Sequence, residues 1–228
     1  MLRRVVGLFA MAALAVLTGC AHVQKPVDLD PQFWADTHPV IGVAMGPVPP
    51  PRLALTGNQG LLDLAINTAV NNKLSQSVAG WSNDDFKSLP EALAAKLRAK
   101  GYTVKVIEEP IDLTQFKETK FREGYLERDV TTLKARYGID RLLFVGINST
   151  GAYRSYYSVV PTSVPTPSVG GAGLLIDAQD NRLVWYKPFN VAQPAQGEWD
   201  QPGYANLSNA YYQAVDGSRQ QVLAPFSP

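Results

Sequence analysis

RLLFVGI, residues 141–147, is a nearly continuous apolar run in the middle of this chain. A strand with one solvent-exposed face would alternate apolar and polar residues. Here four apolar residues follow one another without a break: Leu142, Leu143, Phe144 and Val145. Such a run is typical of a central strand that is covered on both faces. A helix from about Leu126 to Tyr137, ended by Gly138, precedes it. The pattern predicts an α/β fold.

The segments on either side of this run extend the same prediction. Before it come a strand from Pro39, a helix from Gln59 to about Val78 with its apolar residues at helical spacing, a helix from about Asp85 to Lys100, and the strand YTVKVI, residues 102–107. After it come a moderately alternating stretch over residues 153–160, the strands GAGLLID and RLVWYKP around the turn AQDN, and a last helix from about Asn206 to Leu223. This order predicts a single-domain sandwich in which helices pack on a mixed β-sheet, with a C-terminal β-meander followed by a final helix.

The first twenty residues have the three parts of an export signal. Arg3 and Arg4 form a basic start, an apolar stretch runs over residues 5–17, and small residues follow. The stretch is shorter than the ~20 apolar residues that span a bilayer. LTGC, residues 17–20, is similar to the lipobox of bacterial lipoproteins, in which the cysteine receives a diacylglycerol and becomes the acylated first residue. A plain signal peptide is the alternative.

This resemblance implies that Cys20 is lipidated and that the chain divides into three parts. Residues 1–19 are the signal peptide, residues 20–37 a lipidated tether, and residues 38–228 a globular α/β domain. In the resembling lipoproteins, a residue other than aspartate after the cysteine accompanies transfer to the outer membrane, and Ala21 stands there. The expected location is therefore the outer membrane, with the domain facing the periplasm.

Composition excludes several kinds of partner and chemistry. The chain has 21 Lys and Arg, and loss of Arg3 and Arg4 leaves 19 against 20 Asp and Glu. A nearly neutral protein without a basic stripe is a poor match for nucleic acid, which is bound by clustered Lys and Arg. Cys20 is the only cysteine, so no disulfide, redox pair or thiolate metal site is expected.

Three stretches together resemble a group of uncharacterised lipoproteins: the LTGC motif, the RLLFVGI strand after ARYGID, and the GAGLLIDAQDNRLVW hairpin. Their domain resembles the N-terminal domain of the Tol-Pal translocation protein B and the curli secretion lipoprotein. The resemblance covers about residues 39–223. It implies a role as an envelope scaffold, accessory factor or secretion component, with no catalytic residues to assign.

The residues themselves contain no recognisable catalytic or metal motif. His22 lies two residues from the lipidation site, His38 has no G-x-S-x-G serine to serve, and no H-x-x-x-H spacing exists. The neighbouring carboxylates at 84–85, 108–109 and 127–129 are typical of solvated surface. We therefore predict no catalytic residue, no metal and no cofactor.

Aromatic residues near the proline-rich loop are the remaining candidates for a binding site. Tyrosine and tryptophan are enriched at interfaces, although on alternating strands about half of such side chains belong to the core. The candidates are Tyr153, Tyr156, Tyr157, Trp185 and Tyr186. The sequence favours a non-enzymatic lipoprotein that acts by protein contact, with an envelope partner or with copies of itself. The alternative is a domain that binds or acts on an envelope glycan or lipid.

Overall fold

The computed structural model describes residues 23–227, so Cys20 and the predicted signal peptide lie outside the described residues. Within that range no helix is both long enough and apolar enough to cross a membrane. The helices are α1 (Leu61–Val70), α2 (Asn72–Ala79), α3 (Leu89–Ala99), α4 (Thr132–Tyr137) and α5 (Ala205–Leu223). The strands are β1 (Ile41–Met45), β2 (Arg52–Asn58), β3 (Val104–Val106), β4 (Arg141–Tyr157), β5 (Val160–Pro161), β6 (Thr166–Asp177) and β7 (Leu183–Ala192).

The strands form one mixed sheet with the order β3-β1-β4-β6-β7. β1 runs parallel to β3 and β4, whereas β6 is antiparallel to β4 and β7. The parallel strands need long connections, and helices α1 to α4 lie in those connections. The predicted α/β class, the mixed sheet and the final helix are confirmed.

β4 is 17 residues long and has different neighbours along its length. Its first part pairs with β1, and its last seven residues pair with β2 in parallel. Gly151 lies at the first residue of the β2 pairing with φ of 121°, and a Cβ there would sit 2.1 Å from the Arg52 carbonyl oxygen. Only glycine fits this close approach. The sequence analysis did not predict β2, because a run of prolines precedes it.

The core has two parts, one on each face of the sheet. Leu143 and Val145 point into the larger part beneath α3 and α5, and Leu142 and Phe144 point into the smaller part beside α4. All four side chains are at most 4% exposed. The prediction that 141–147 is a central strand covered on both faces is confirmed.

Two boundaries differ from the sequence predictions. The packed domain begins earlier than residue 38, because Val27 bridges Tyr186 on β7 and Phe33 is in the core. The helix expected over 126–137 is formed only from Thr132, because the residues before it are held in extended bridges, Tyr125 with Arg182 and Arg128 with Glu118. Gly138, in the left-handed conformation, ends that helix as predicted.

Candidate functional site

Helix α1 has its apolar side facing solvent. Leu61 is 91% exposed, Leu62 74% and Val70 73%. The only buried residue of α1 is polar, Asn67. A surface helix normally turns its apolar stripe toward the core, so the polarity of α1 is inverted. The continuous helix predicted over 59–78 is also broken at Asn71, and only its second part, α2, buries apolar residues.

Buried amides hold α1 in this orientation. The Asn67 side-chain amide donates to the Gln59 side-chain oxygen at 2.8 Å and to the Ser158 carbonyl oxygen at 2.9 Å. The Asn71 amide, which directly follows α1, donates to the Tyr156 hydroxyl at 2.7 Å. Turning the helix over would break these hydrogen bonds and leave the Ser158 carbonyl oxygen and the buried Tyr156 hydroxyl without these partners, which is costly because buried polar groups are stable only when they are hydrogen-bonded.

The turn that follows β4 adds to the exposed apolar area. Tyr157 is 66% exposed and Val160 59%, and Ser158 between them touches Asn67 of α1. We call the combined area the apical surface. It consists of the outward residues of α1 and the tip of the β4–β5 hairpin: Leu61, Leu62, Ala65, Ile66, Ala69, Val70, Tyr157, Val159 and Val160.

The apical surface lies far from the N-terminal end of the described chain. Val27 pairs with Tyr186, which lies beside Leu174 and, one strand further, Phe144. From Phe144 to Tyr157 β4 advances 13 residues, or about 40 Å at ~3.3 Å per residue. The exposed apolar residues are therefore at the opposite end of the sheet from the point where the tether joins it.

The aromatic residues singled out in the sequence are not brought together. Tyr157 is exposed and belongs to the apical surface, whereas its neighbour Tyr156 is 4% exposed and holds α1 through Asn71. Tyr153 is half-buried on the same strand. Alternation along β4 explains why adjacent tyrosines have opposite exposure.

Trp185 and Tyr186 lie toward the other end of the sheet. Trp185 is 3% exposed and packs edge-on against Phe226, so its side chain is part of the core. Tyr186 is half-buried where Val27 crosses β7. Neither can share a contact surface with Tyr157. The residues that the sequence analysis missed are those of α1, because helical spacing shows where a stripe lies but not which stripe faces the protein.

A groove lies at the carboxyl ends of β1 and β3, where parallel sheets commonly bind ligands. Its volume is about 550 Å³, and its walls are mostly apolar, with Met45, Phe86 and Ile107 among them. Its charged residues are largely paired: Asp84 contacts Lys87 at 2.6 Å, which holds the pKa of Asp84 below its usual value. An ionised Asp84 has no proton to give as a general acid at neutral pH.

His38 forms a surface pair with Asp36. Its Nδ1 lies 2.8 Å from Asp36 Oδ1, the ring is 97% exposed, and this hydrogen bond lowers the pKa of Asp36. Among residues 23–227 no group of three His, Cys, Asp or Glu side chains is placed to hold a metal ion. His22 and Cys20 lie outside the described residues.

No family model and no curated protein matches this sequence. Solved structures with a related arrangement include lipoprotein GNA1162 from Neisseria meningitidis, with 13% identity over 80% of this chain and 99% of that one, at a TM-score of 0.31. The PelC dodecamer from Paraburkholderia phytofirmans has 12% identity, covers 89% of this chain and 95% of its own, and gives a TM-score of 0.35. Protein XCC0632 from Xanthomonas campestris has 13% identity, with coverage of 79% and 92% and a TM-score of 0.35. Because the identities and TM-scores are this low, these structures do not indicate what this chain does.

Proposed function

We propose that this chain is a membrane-anchored lipoprotein of the cell envelope that acts without catalysis, by protein–protein contact through its apical surface. The inverted polarity of α1 carries this proposal. Soluble monomers rarely keep a large contiguous apolar patch in water, and such patches mark sites of interaction.

The hydrogen bonds beneath α1 support a permanent function for this surface. A helix whose apolar residues were exposed by chance could roll over and bury them. Here the Asn67 and Asn71 amides tie the polar side of α1 to the β4–β5 hairpin, and Arg154 donates to the Asn71 side-chain oxygen at 3.0 Å. The fold therefore stabilises the outward orientation of the apolar residues.

The proposed anchor is compatible with the position of this surface. Val27 lies seven positions after Cys20, and seven residue steps reach at most about 25 Å. A lipid on Cys20 would hold the Val27 end of the sheet near the membrane. The apical surface, about 40 Å further along β4, would then be available to proteins in the aqueous space.

Replacing the proposed lipidation site tests the anchor. We expect Cys20→Ala to move the protein from the membrane fraction to the soluble fraction, or to stall its processing, while its circular dichroism stays unchanged. A second acyl chain is what makes such anchoring stable. Mass spectrometry that finds an unmodified Cys20 thiol in the mature wild-type protein would disprove the anchor.

Site-specific photo-crosslinking tests the contact function. A photoreactive residue at Leu62 or Tyr157 in cells should give crosslinked protein adducts, and one at Gln220, exposed on α5, is the matched control. The contact function fails if neither apical position gives more adduct than Gln220.

The groove at the ends of β1 and β3 supports a second candidate function, the binding of a small apolar ligand such as an envelope lipid. A cavity of about 550 Å³ is within the range that small-molecule sites occupy. Val48→Trp would narrow it from the β1–β2 connection. If native mass spectrometry of the membrane-extracted protein shows a retained lipid that Val48→Trp removes, this function is supported. If the wild-type protein carries no ligand, the ligand-binding function is not supported.

A further inference from the structure

The apical surface is as large as one side of a stable protein interface. Its apolar residues have exposed fractions from 43% for Ile66 and Val159 to 91% for Leu61. Summed over whole residues, with backbone atoms and the Tyr157 hydroxyl included, their exposed surface is comparable to the ~800 Å² that each partner contributes to a standard interface. An area of this size needs a partner that covers most of it.

The outward residues of the apical surface carry no charge. α1 contains one ionisable residue, Asp63, which is on the inner side, where it accepts a hydrogen bond from the Gly60 backbone N–H at 3.1 Å. α1 contains no lysine or arginine, which interfacial helices use to bind anionic lipid headgroups. A charged partner would likewise find no complementary group here. Permanent interfaces between subunits are the class that is most apolar.

The shape of α1 suits contact with an identical helix. Leu62, Ile66 and Val70 form a ridge at i, i+4 and i+8, and the smaller Ala65 and Ala69 leave a shallow groove next to it. Two such helices can pack with the ridge of each in the groove of the other. A twofold interface places the same patch on both sides, so an uncharged patch with its own ridge and groove is self-complementary.

The sheet edge next to α1 is also open. Within the described chain β2 pairs only with β4, so no strand covers its outer edge, although the Thr56 carbonyl oxygen accepts a hydrogen bond from the Gln59 side-chain amide at 2.8 Å. Such edges are usually covered, because they attract other strands.

We propose that the apical surface is a self-association interface, in which α1 of one copy packs against α1 of a second copy. This inference rests on the proposed contact function and names its partner. The assembled form would bury the apolar face of α1.

Disulfide trapping in the full chain tests the arrangement directly, because Cys20 is the only native cysteine. Ala69→Cys should crosslink to its counterpart in membranes under mild oxidation, and Gln220→Cys should not. The wild-type chain under the same conditions reports any crosslinking through Cys20. Adding Leu62→Glu to Ala69→Cys places a charge in the apolar contact and should lower the yield by more than about tenfold.

Sedimentation equilibrium of the detergent-solubilised chain gives an independent measurement. We expect a dimer for wild type and a monomer for Leu62→Glu, with unchanged circular dichroism because Leu62 is 74% exposed. The proposal is overturned if wild type is monomeric and Ala69→Cys crosslinks no faster than Gln220→Cys. If photo-crosslinking at Leu62 then captures a different protein, the contact function stands and only self-association falls. If it captures nothing, both fall.

Discussion

Asn71→Ala should loosen the attachment of α1 to the rest of the domain. The side chain is 3% exposed and makes three contacts. Its amide donates to the Asn67 carbonyl oxygen at 2.7 Å and to the Tyr156 hydroxyl at 2.7 Å, and its oxygen accepts from Arg154 Nη1 at 3.0 Å. Alanine removes all three and leaves the Tyr156 hydroxyl and part of the Arg154 guanidinium without these partners.

The expected loss follows from the chemistry of those bonds. Each neutral hydrogen bond contributes about 1 kcal/mol to the free energy of unfolding, and the bond from the charged guanidinium about 1.5–3 kcal/mol. The higher helix propensity of alanine offsets a few tenths of a kcal/mol of this loss. The free energy of unfolding should fall by about 3–4 kcal/mol, a large part of the ~5–15 kcal/mol that stabilises an ordinary domain.

Urea unfolding followed by circular dichroism measures this change. Asn72→Ala is the matched control, since the neighbouring asparagine is exposed and its replacement should cost within about 0.5 kcal/mol. Hydrogen exchange should also accelerate in residues 59–71 and remain slow in β4. If Asn71→Ala is no more destabilising than Asn72→Ala, the amide network does not hold α1 in place.

Three further predictions concern the core. Phe144→Ala should lower the free energy of unfolding by about 3–5 kcal/mol in denaturant titration, and a loss under about 1 kcal/mol would contradict its central position. Gly173→Ala places a Cβ 2.3 Å from Trp185 Cη2, so the indole must shift. We expect the free energy of unfolding to fall by about 1–3 kcal/mol and the near-ultraviolet circular dichroism to change. An unchanged melting temperature would contradict this close packing of Gly173 against Trp185. Burial raises the pKa of Tyr211 to about 12, above the ~10 of an unfolded tyrosine, so this residue should make stability fall as pH rises from about 10 to about 12. Tyr211→Phe should remove that part of the pH dependence of stability. If the free energy of unfolding falls equally steeply with pH in both proteins, Tyr211 is not the group responsible.

The sequence was most informative where both faces of an element are buried. The apolar run at 141–147 specifies a central strand because an unbroken apolar stretch has few other stable environments. The last helix was also predicted, from about Asn206 to Leu223, and its Ala210, Tyr211 and Ala214 side chains are buried. In these segments local pattern and tertiary packing agree.

The apical surface could not be predicted in the same way. α1 has a clear apolar stripe, and the usual rule turns such a stripe toward the core. The opposite orientation depends on Asn67 and Asn71 meeting Ser158 and Tyr156, residues more than 80 positions later in the chain. Spacing within a helix carries no information about such distant partners.

The extent of β4 was missed for a related reason. Residues 141–147 and 153–160 read as separate segments, because Asn148, Ser149 and Thr150 interrupt the apolar pattern. The structure continues the strand through them, with a register shift against β6 between Ile147 and Ser149. From Gly151 onward, after the apolar run has ended, β4 pairs with β2.

The parallel pairing of β1 and β2 with β4 also has a consequence for the order in which the chain can fold. A chain that emerges from its N-terminus presents β1, β2 and α1 first, but β4 follows about a hundred residues later, as the pairs Ile41–Arg141 and Arg52–Gly151 show. Until then Asn71 has no Tyr156 to bind, 85 residues away, and β1, whose five residues are all buried in the folded domain, has no β4 to pair with. Contacts of such long sequence separation slow folding and lengthen the period of aggregation risk. The N-terminal third of the chain therefore stays open to aggregation until β4 is available.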